Sequence, residues 1–189
     1  IDRSVPLAEP GELLCGNQLK NVGLTVYVDG NEAGYEFGDL DFTDGGIEGP
    51  IGFKVSRKCV NAIINGSKVS AVLDLKPAVE LEDLNVRIST LWNEVSKDRR
   101  NANKLYKDRF RIMLTKLLPM SLIPAFIRTN PNADHKTLAK TLKNWKMELD
   151  DETTSAIIKK QQFKTINAFY AAIGDGTVDV ADVKEWILE

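Results

Sequence analysis

GYEFGDLDFTDGGIEGPIGFKVSR, residues 34–57, decides the fold, because it holds a strand, a glycine-rich turn and the start of a helix in that order. Drawn out as a strand, it puts Tyr35, Phe37, Asp39 and Asp41 on one face and Glu36, Leu40 and Phe42 on the other. Neither face is cleanly apolar, so the alternation alone is a weak strand signal. Thr43-Asp44-Gly45-Gly46 then breaks the strand, since glycine reaches backbone angles closed to other residues. Gly49-Pro50 follows, and proline suits a first helical turn, where its missing N–H is not needed. Ile51, Val55, Cys59 and Ile63 recur at a spacing of four and line one face of the helix. The N–H groups of a helix start beside a glycine turn can receive an anion or the edge of a cofactor. A plain strand-to-helix connection without a ligand explains the same residues.

The flanks extend this pattern. Before it, Val22, Leu24, Val26 and Val28 alternate with Gly23, Thr25 and Tyr27, which predicts a half-buried strand. Asp29-Gly30-Asn31-Glu32 is hairpin chemistry, so the chain is expected to return antiparallel through Tyr35 to Phe42. After it, Asn65-Gly66 is a helix C-cap, and Val69, Ala71, Leu73 and Leu75 mark a third strand that ends at Pro77. Residues 1–20, punctuated by Pro6 and Pro10, read as irregular.

From there the period becomes helical. Leu81, Leu84, Ile88, Leu91, Trp92 and Val95 trace one face, with Glu80, Glu82 and Asp83 in the first turn, where acids favour the helix dipole. Leu105, Phe110, Met113, Leu114, Leu117 and Leu118 predict a second helix that stops before Pro119. A short helix follows over 122–127. Asp134 or Asn132 is placed to cap another helix, carrying Leu138, Leu142 and Trp145. Ile157 to Ile173 and Asp179 to Leu188 read as two further helices. The fold class is therefore α+β: a small antiparallel, barrel-like β unit over residues 1–78, with one helix at about 50–64, then a helical subdomain over residues 79–189.

Composition narrows the function. Of 189 residues, 43% are apolar and 28% charged, an ordinary globular balance. A net charge of -2 argues against general nucleic-acid binding. The stretch 97–116 is a local exception, with eight Lys or Arg against Asp98 and Asp108. It reads as a solvated helix face or as a basic contact for a partner or anionic ligand. No apolar run approaches the roughly 20 residues of a membrane span, and no signal peptide is legible. The start without Met suggests a processed or excised chain, and the expected compartment is the cytoplasm. Cys15 and Cys59 form neither a disulfide framework nor a metal cluster, Cys59 is expected as a core thiol, and His135 as an exposed residue in a first helical turn.

Chemistry is sparse. There is no G-x-G-x-x-G after a strand, no P-loop and no nucleophile elbow. Asp39 with Asp41, and Asp150 with Asp151, read as strand-edge or capping carboxylates, although an acid-pair hydrolase is the sharper alternative. Asp175 to Asp182 copies half of a calcium loop, but the remaining ligand positions fall on Ala171 and Ile173. No catalytic or metal residue is assigned.

A set of small motifs adds a resemblance. Val5-Pro6-Leu7 comes first, then Leu19-Lys20-Asn21-Val22, Gly38-Asp39-Leu40-Asp41-Phe42-Thr43, Gly46 and Gly49-Pro50. Ser56-Arg57, Asp74-Leu75-Lys76-Pro77-Ala78, Leu117-Leu118-Pro119, Leu122-Ile123-Pro124 and Leu142-Lys143-Asn144-Trp145 continue the series. In this order, from about Pro6 to Leu149, the chain resembles the insertion region of a flavoprotein family labelled NAD(FAD)-utilising dehydrogenases, or aminoacetone-oxidase-type FAD-binding enzymes. The resemblance implies a small β-barrel joined to a helical subdomain, set within a Rossmann-type FAD-binding domain whose fingerprint this chain lacks. It implies a role in covering the flavin and enclosing a small-molecule substrate of unspecified identity, with FAD held by the parent protein and no tight FAD binding by this chain alone. The FAD-binding domain of the same parent chain is the implied partner, and neither nucleic acid nor membrane is. The candidate flavin-facing turn is Thr43, Asp44, Gly45, Gly46, Gly49 and Pro50. Two positions depart from the family pattern: Asp44 stands where His is common, and Glu48 where Ser is common. The competing expectation is a stand-alone binding or protein-interaction domain without flavin.

Overall fold

The computed structural model describes residues 11–43 and 46–149. Strands β1 (Gln18–Val28), β2 (Asn31–Thr43), β3 (Gly46–Glu48), β4 (Val69–Asp74) and β5 (Trp145–Leu149) form one antiparallel sheet in the order β3-β2-β1-β4-β5. The sheet curls into a half-barrel. Around it lie helices α1 (Gly11–Leu14), α2 (Gly49–Ile64), α3 (Leu81–Lys97), α4 (Tyr106–Leu114), α5 (Ile123–Thr129) and α6 (Leu138–Lys143). The class is the α+β expected.

Local chemistry explains the joints. Asp29 and Gly30 both take positive φ, 50° and 81°, so Val28 pairs directly with Asn31 across a two-residue hairpin. The irregularity in β1 between Leu19 and Val22 is fixed by Asp39, whose carboxylate accepts from the Asn21 N–H at 3.1 Å and from the Lys20 amine at 2.9 Å. α2 ends in a Schellman arrangement: the Gly66 N–H donates to Ile63 O at 2.9 Å, and the Ser67 N–H to Ala62 O at 3.0 Å.

The core lies on one face of the sheet. Leu24 and Val26 of β1, Leu40 and Phe42 of β2, Ala71 and Leu73 of β4, and Trp145 and Met147 of β5 are all buried. Tyr35 and Phe37, on the opposite face of β2, are exposed. α2 closes the β2 side with Ile51, Val55 and Cys59. Lys143 ties α6 to the end of β4, donating to the carbonyls of Lys76 at 2.8 Å and Val79 at 3.0 Å and pairing with Asp74 at 2.9 Å.

Several expectations need correction: α4 ends at Leu114, so Leu117 and Leu118 lie beyond it, and α1 and the start of β1 occupy part of the stretch 1–20 read as irregular. Trp145 does not lie on a helix, because Asn144, at φ -140° and ψ 51°, stops α6 one residue before it. Trp145 instead opens β5, so the sheet is not confined to the first 75 residues. Leu105 is 74% exposed and sits at the start of α4 outside the core. The glycine turn does not lead straight into a helix, since β3 pairs back onto β2 before α2 begins. The helices read over 157–173 and 179–188, the Asp150–Asp151 pair and the half calcium loop lie outside the described residues.

Asp134 caps a turn ahead of α6, accepting from the N–H groups of Lys136 and Thr137, both at 2.9 Å. These bonds, the Thr137 one foremost, hold its carboxyl below the usual range. Their contribution is present above the ordinary carboxylate pKa and fades as the pH falls through the depressed one. Asp134→Ala is expected to cost about 1 kcal/mol in urea unfolding at neutral pH. The difference from the parent chain should shrink in acid.

Candidate functional site

The glycine turn joins β2 to α2 through β3. Asp41 pairs with Glu48, Phe42 with Ile47 and Thr43 with Gly46. Four of the six candidate residues, Thr43, Gly46, Gly49 and Pro50, are thereby placed on three adjoining elements, β2, β3 and α2, while Asp44 and Gly45 lie outside the described residues. Gly49 has φ +81°, and a Cβ built there would stand 3.1 Å from both the Asp41 backbone nitrogen and its Oδ2. Gly52 is similarly tight, with a Cβ 3.1 Å from Ile47 O. Both glycines therefore let the start of α2 press against β2 and β3.

The electrostatics of this helix start are specific. No side chain caps it: Glu48 holds the N-cap position without a capping bond, and its carboxylate instead accepts from the Thr43 hydroxyl at 3.2 Å. The first N–H groups of α2 thus lack a side-chain acceptor at the N-cap, while the Asp41 and Glu48 carboxylates stand beside them. That setting suits a neutral hydrogen-bond acceptor. It does not suit the pyrophosphate of FAD, which would be repelled by two adjacent acids. Pro50 is exposed at the surface of the turn.

Asp39 and Asp41 have different neighbours. Asp39 is engaged by Lys20 and Asn21, and the Lys20 amine is the main reason its carboxyl lies below the usual range. Asp41 faces Glu48 across the strand pair. Among the described residues no three His, Cys, Asp or Glu side chains group as metal ligands, and no helix is long and apolar enough to cross a membrane.

A cluster in the helical part was not foreseen. His135 was expected to be exposed, yet it is half-buried and stacks on Trp92, with centroids 4.5 Å apart and planes at 7°. Tyr106 leans on the same Trp92 ring at 4.9 Å, and the Arg109 guanidinium lies 5.9 Å from its centroid. The Tyr106 hydroxyl oxygen accepts from the His135 backbone N–H at 3.2 Å and sits 3.1 Å from its Nδ1. The direction of the hydroxyl–Nδ1 bond follows the imidazole tautomer. No sequence spacing signals the cluster, since 92, 106, 109 and 135 come from three separate segments. The basic stretch 97–116 is partly neutralised: Arg100 pairs with Asp98 at 2.7 Å and Lys116 with Glu94 at 3.6 Å. Arg100 holds the Asp98 carboxyl down to about 2.

The thiols differ as expected. Cys59 is fully buried, and loss of solvation pushes its pKa up to about 11, while Cys15 is exposed. A thiol reagent at pH 8 should label Cys15 at once and Cys59 only on unfolding. A raised folded-state pKa means that the contribution of Cys59 is complete below the unfolded thiol pKa and is lost as the pH rises towards 11. Stability should therefore fall on the alkaline side, and Cys59→Ala should flatten that limb of the pH profile.

A family model described as HI0933-like protein barrel and H2TH domain matches residues 8–163. That family is the insertion region of FAD-binding flavoproteins, in agreement with the resemblance over 6–149. No curated protein matches the chain.

Proposed function

We propose, from a chain that belongs to the HI0933-like barrel and H2TH domain family, that this protein is the part of an FAD-dependent oxidoreductase that covers the flavin and encloses the substrate. The observation that carries the reading is the family match over residues 8–163, in a chain that has no dinucleotide fingerprint of its own. An insertion of this family works beside an FAD-binding domain in the same parent chain. The flavin, when bound there, supplies the redox chemistry.

The residues of this chain have a positioning and excluding role. The turn from Thr43 to Pro50 is the surface we assign to the flavin side. The first N–H groups of α2 are donors for a neutral carbonyl of ring or substrate. The Asp41 and Glu48 carboxylates oppose a phosphate at the same place, which leaves the pyrophosphate to the FAD-binding domain. Among the described residues, the β unit up to residue 78 supplies this covering surface and the helices from α3 to α6 brace it, with β5 as the strap that joins the two.

The test is proximity in the full-length protein. Tryptophan in contact with flavin quenches its fluorescence by electron transfer. Asp44→Trp is expected to quench the bound flavin strongly, whereas Lys97→Trp, at the end of α3, is expected to leave it unchanged. Equal emission from both variants would remove the turn from the flavin site.

A further inference from the structure

We propose that a cleft between α4 and the start of α5 binds a small apolar carboxylate. The cleft has a volume of about 640 Å³, within the range of small-molecule sites. Asp108 and Arg111 on one side of α4, Thr115 at its C-cap and Lys104 from the bend that precedes the helix line one wall. Ile112, Ile123, Pro124 and Met120 supply the apolar surface. Met120 is 75% exposed and contributes nothing to the core, so its thioether is free to close over an apolar body.

The polar wall selects the head group. The Thr115 hydroxyl donates to Ile112 O at 2.7 Å, and the Lys104 amine donates to Asn101 at 2.9 Å. Arg111 makes no ion pair or hydrogen bond with a side chain among the described residues, and Asp108, one turn away, does not pair with it. Its planar fork matches a carboxylate in two parallel bonds. Two cations against one acid leave a single positive charge on this wall, which suits a monoanion. The Asp108 carboxylate opposes a dianion such as a phosphate monoester, and the apolar wall requires a hydrocarbon or aryl body. This site lies on elements separate from the glycine turn and does not depend on the flavin reading.

The test is titration of the 189-residue chain with octanoate, and with octanamide as the uncharged control, followed by calorimetry and by chemical-shift changes. Octanoate is expected to bind saturably and more tightly than octanamide. Arg111→Gln should weaken octanoate about ten-fold, the effect of a lost charged hydrogen bond, and leave octanamide unchanged. Met120→Asp should weaken both ligands. These side chains are at the surface, so unaltered thermal melts are expected to show that the variants stay folded. Lys104→Gln provides a second loss of charge on the same wall, with a smaller expected effect. Absence of saturable octanoate binding, or binding that Arg111→Gln leaves untouched, would overturn the proposal.

Discussion

Trp145→Ala is expected to lower the stability of the chain by about 3–5 kcal/mol, the range for removing a large aromatic side chain from a packed core. Trp145 is only 1% exposed and is among the largest side chains in the interior. Its ring meets Phe126 edge-on at 5.2 Å and 76°, and its Nε1 donates to the Thr129 hydroxyl at 3.0 Å. Both partners belong to α5, while Trp145 itself pairs with Leu73 of β4. One side chain therefore ties α5 to the sheet. Truncation to alanine opens a cavity and removes the donor to Thr129. Trp145→Phe should recover most of the loss, since it restores apolar volume without the N–H. Urea unfolding followed by far-UV circular dichroism measures both. A loss below about 1 kcal/mol for the alanine variant would mean that α5 and β5 are not coupled through this residue.

Gly49→Ala is the second large effect, at about 2–4 kcal/mol. Two causes add. An alanine at φ +81° bears the left-handed backbone cost, and its Cβ stands 3.1 Å from the Asp41 backbone nitrogen, which cannot swing aside as a side-chain end can. Gly66 separates the two contributions. It has nearly the same angle, φ +85°, but nothing lies within 4 Å of an added Cβ. Gly66→Ala is therefore expected to cost only the backbone share, about 1–2 kcal/mol. The excess at Gly49 measures how tightly α2 is pressed against β2 and β3. In the full-length protein, Gly49→Ala should also increase access of iodide to the flavin, because the same contact sets the position of the proposed covering turn. Equal costs at the two glycines would contradict the close approach.

The sequence made these features legible to different degrees. Where the local chemistry is sharp, the elements stand where their residues put them: Asp29-Gly30 as a hairpin, Val69 to Leu73 as an alternating strand, and Asn65-Gly66 as a helix stop. The helical apolar spacing from Ile51 to Cys59 likewise marks the buried face of α2. β5 was missed because Leu138, Leu142 and Trp145 also fit a helical spacing, and Asn144 breaks that helix through its backbone angles alone. β3 is three residues long, too short for any period to register. The Trp92–His135 stack depends on tertiary packing, which no spacing in one chain reports. Of the candidate site, the glycines at 46 and 49 were readable from their position between strand and helix. The electrostatic character was not, because Asp41 reaches the helix start only through its strand pairing with Glu48.

The most direct test of the central claim is the intact mass of the native gene product, with an absorption spectrum of the same sample. The account predicts a mass well above 21.0 kDa together with flavin bands. A mass near 21.0 kDa with no flavin absorbance would contradict it, and would leave a fold of this family working without the cofactor of its relatives.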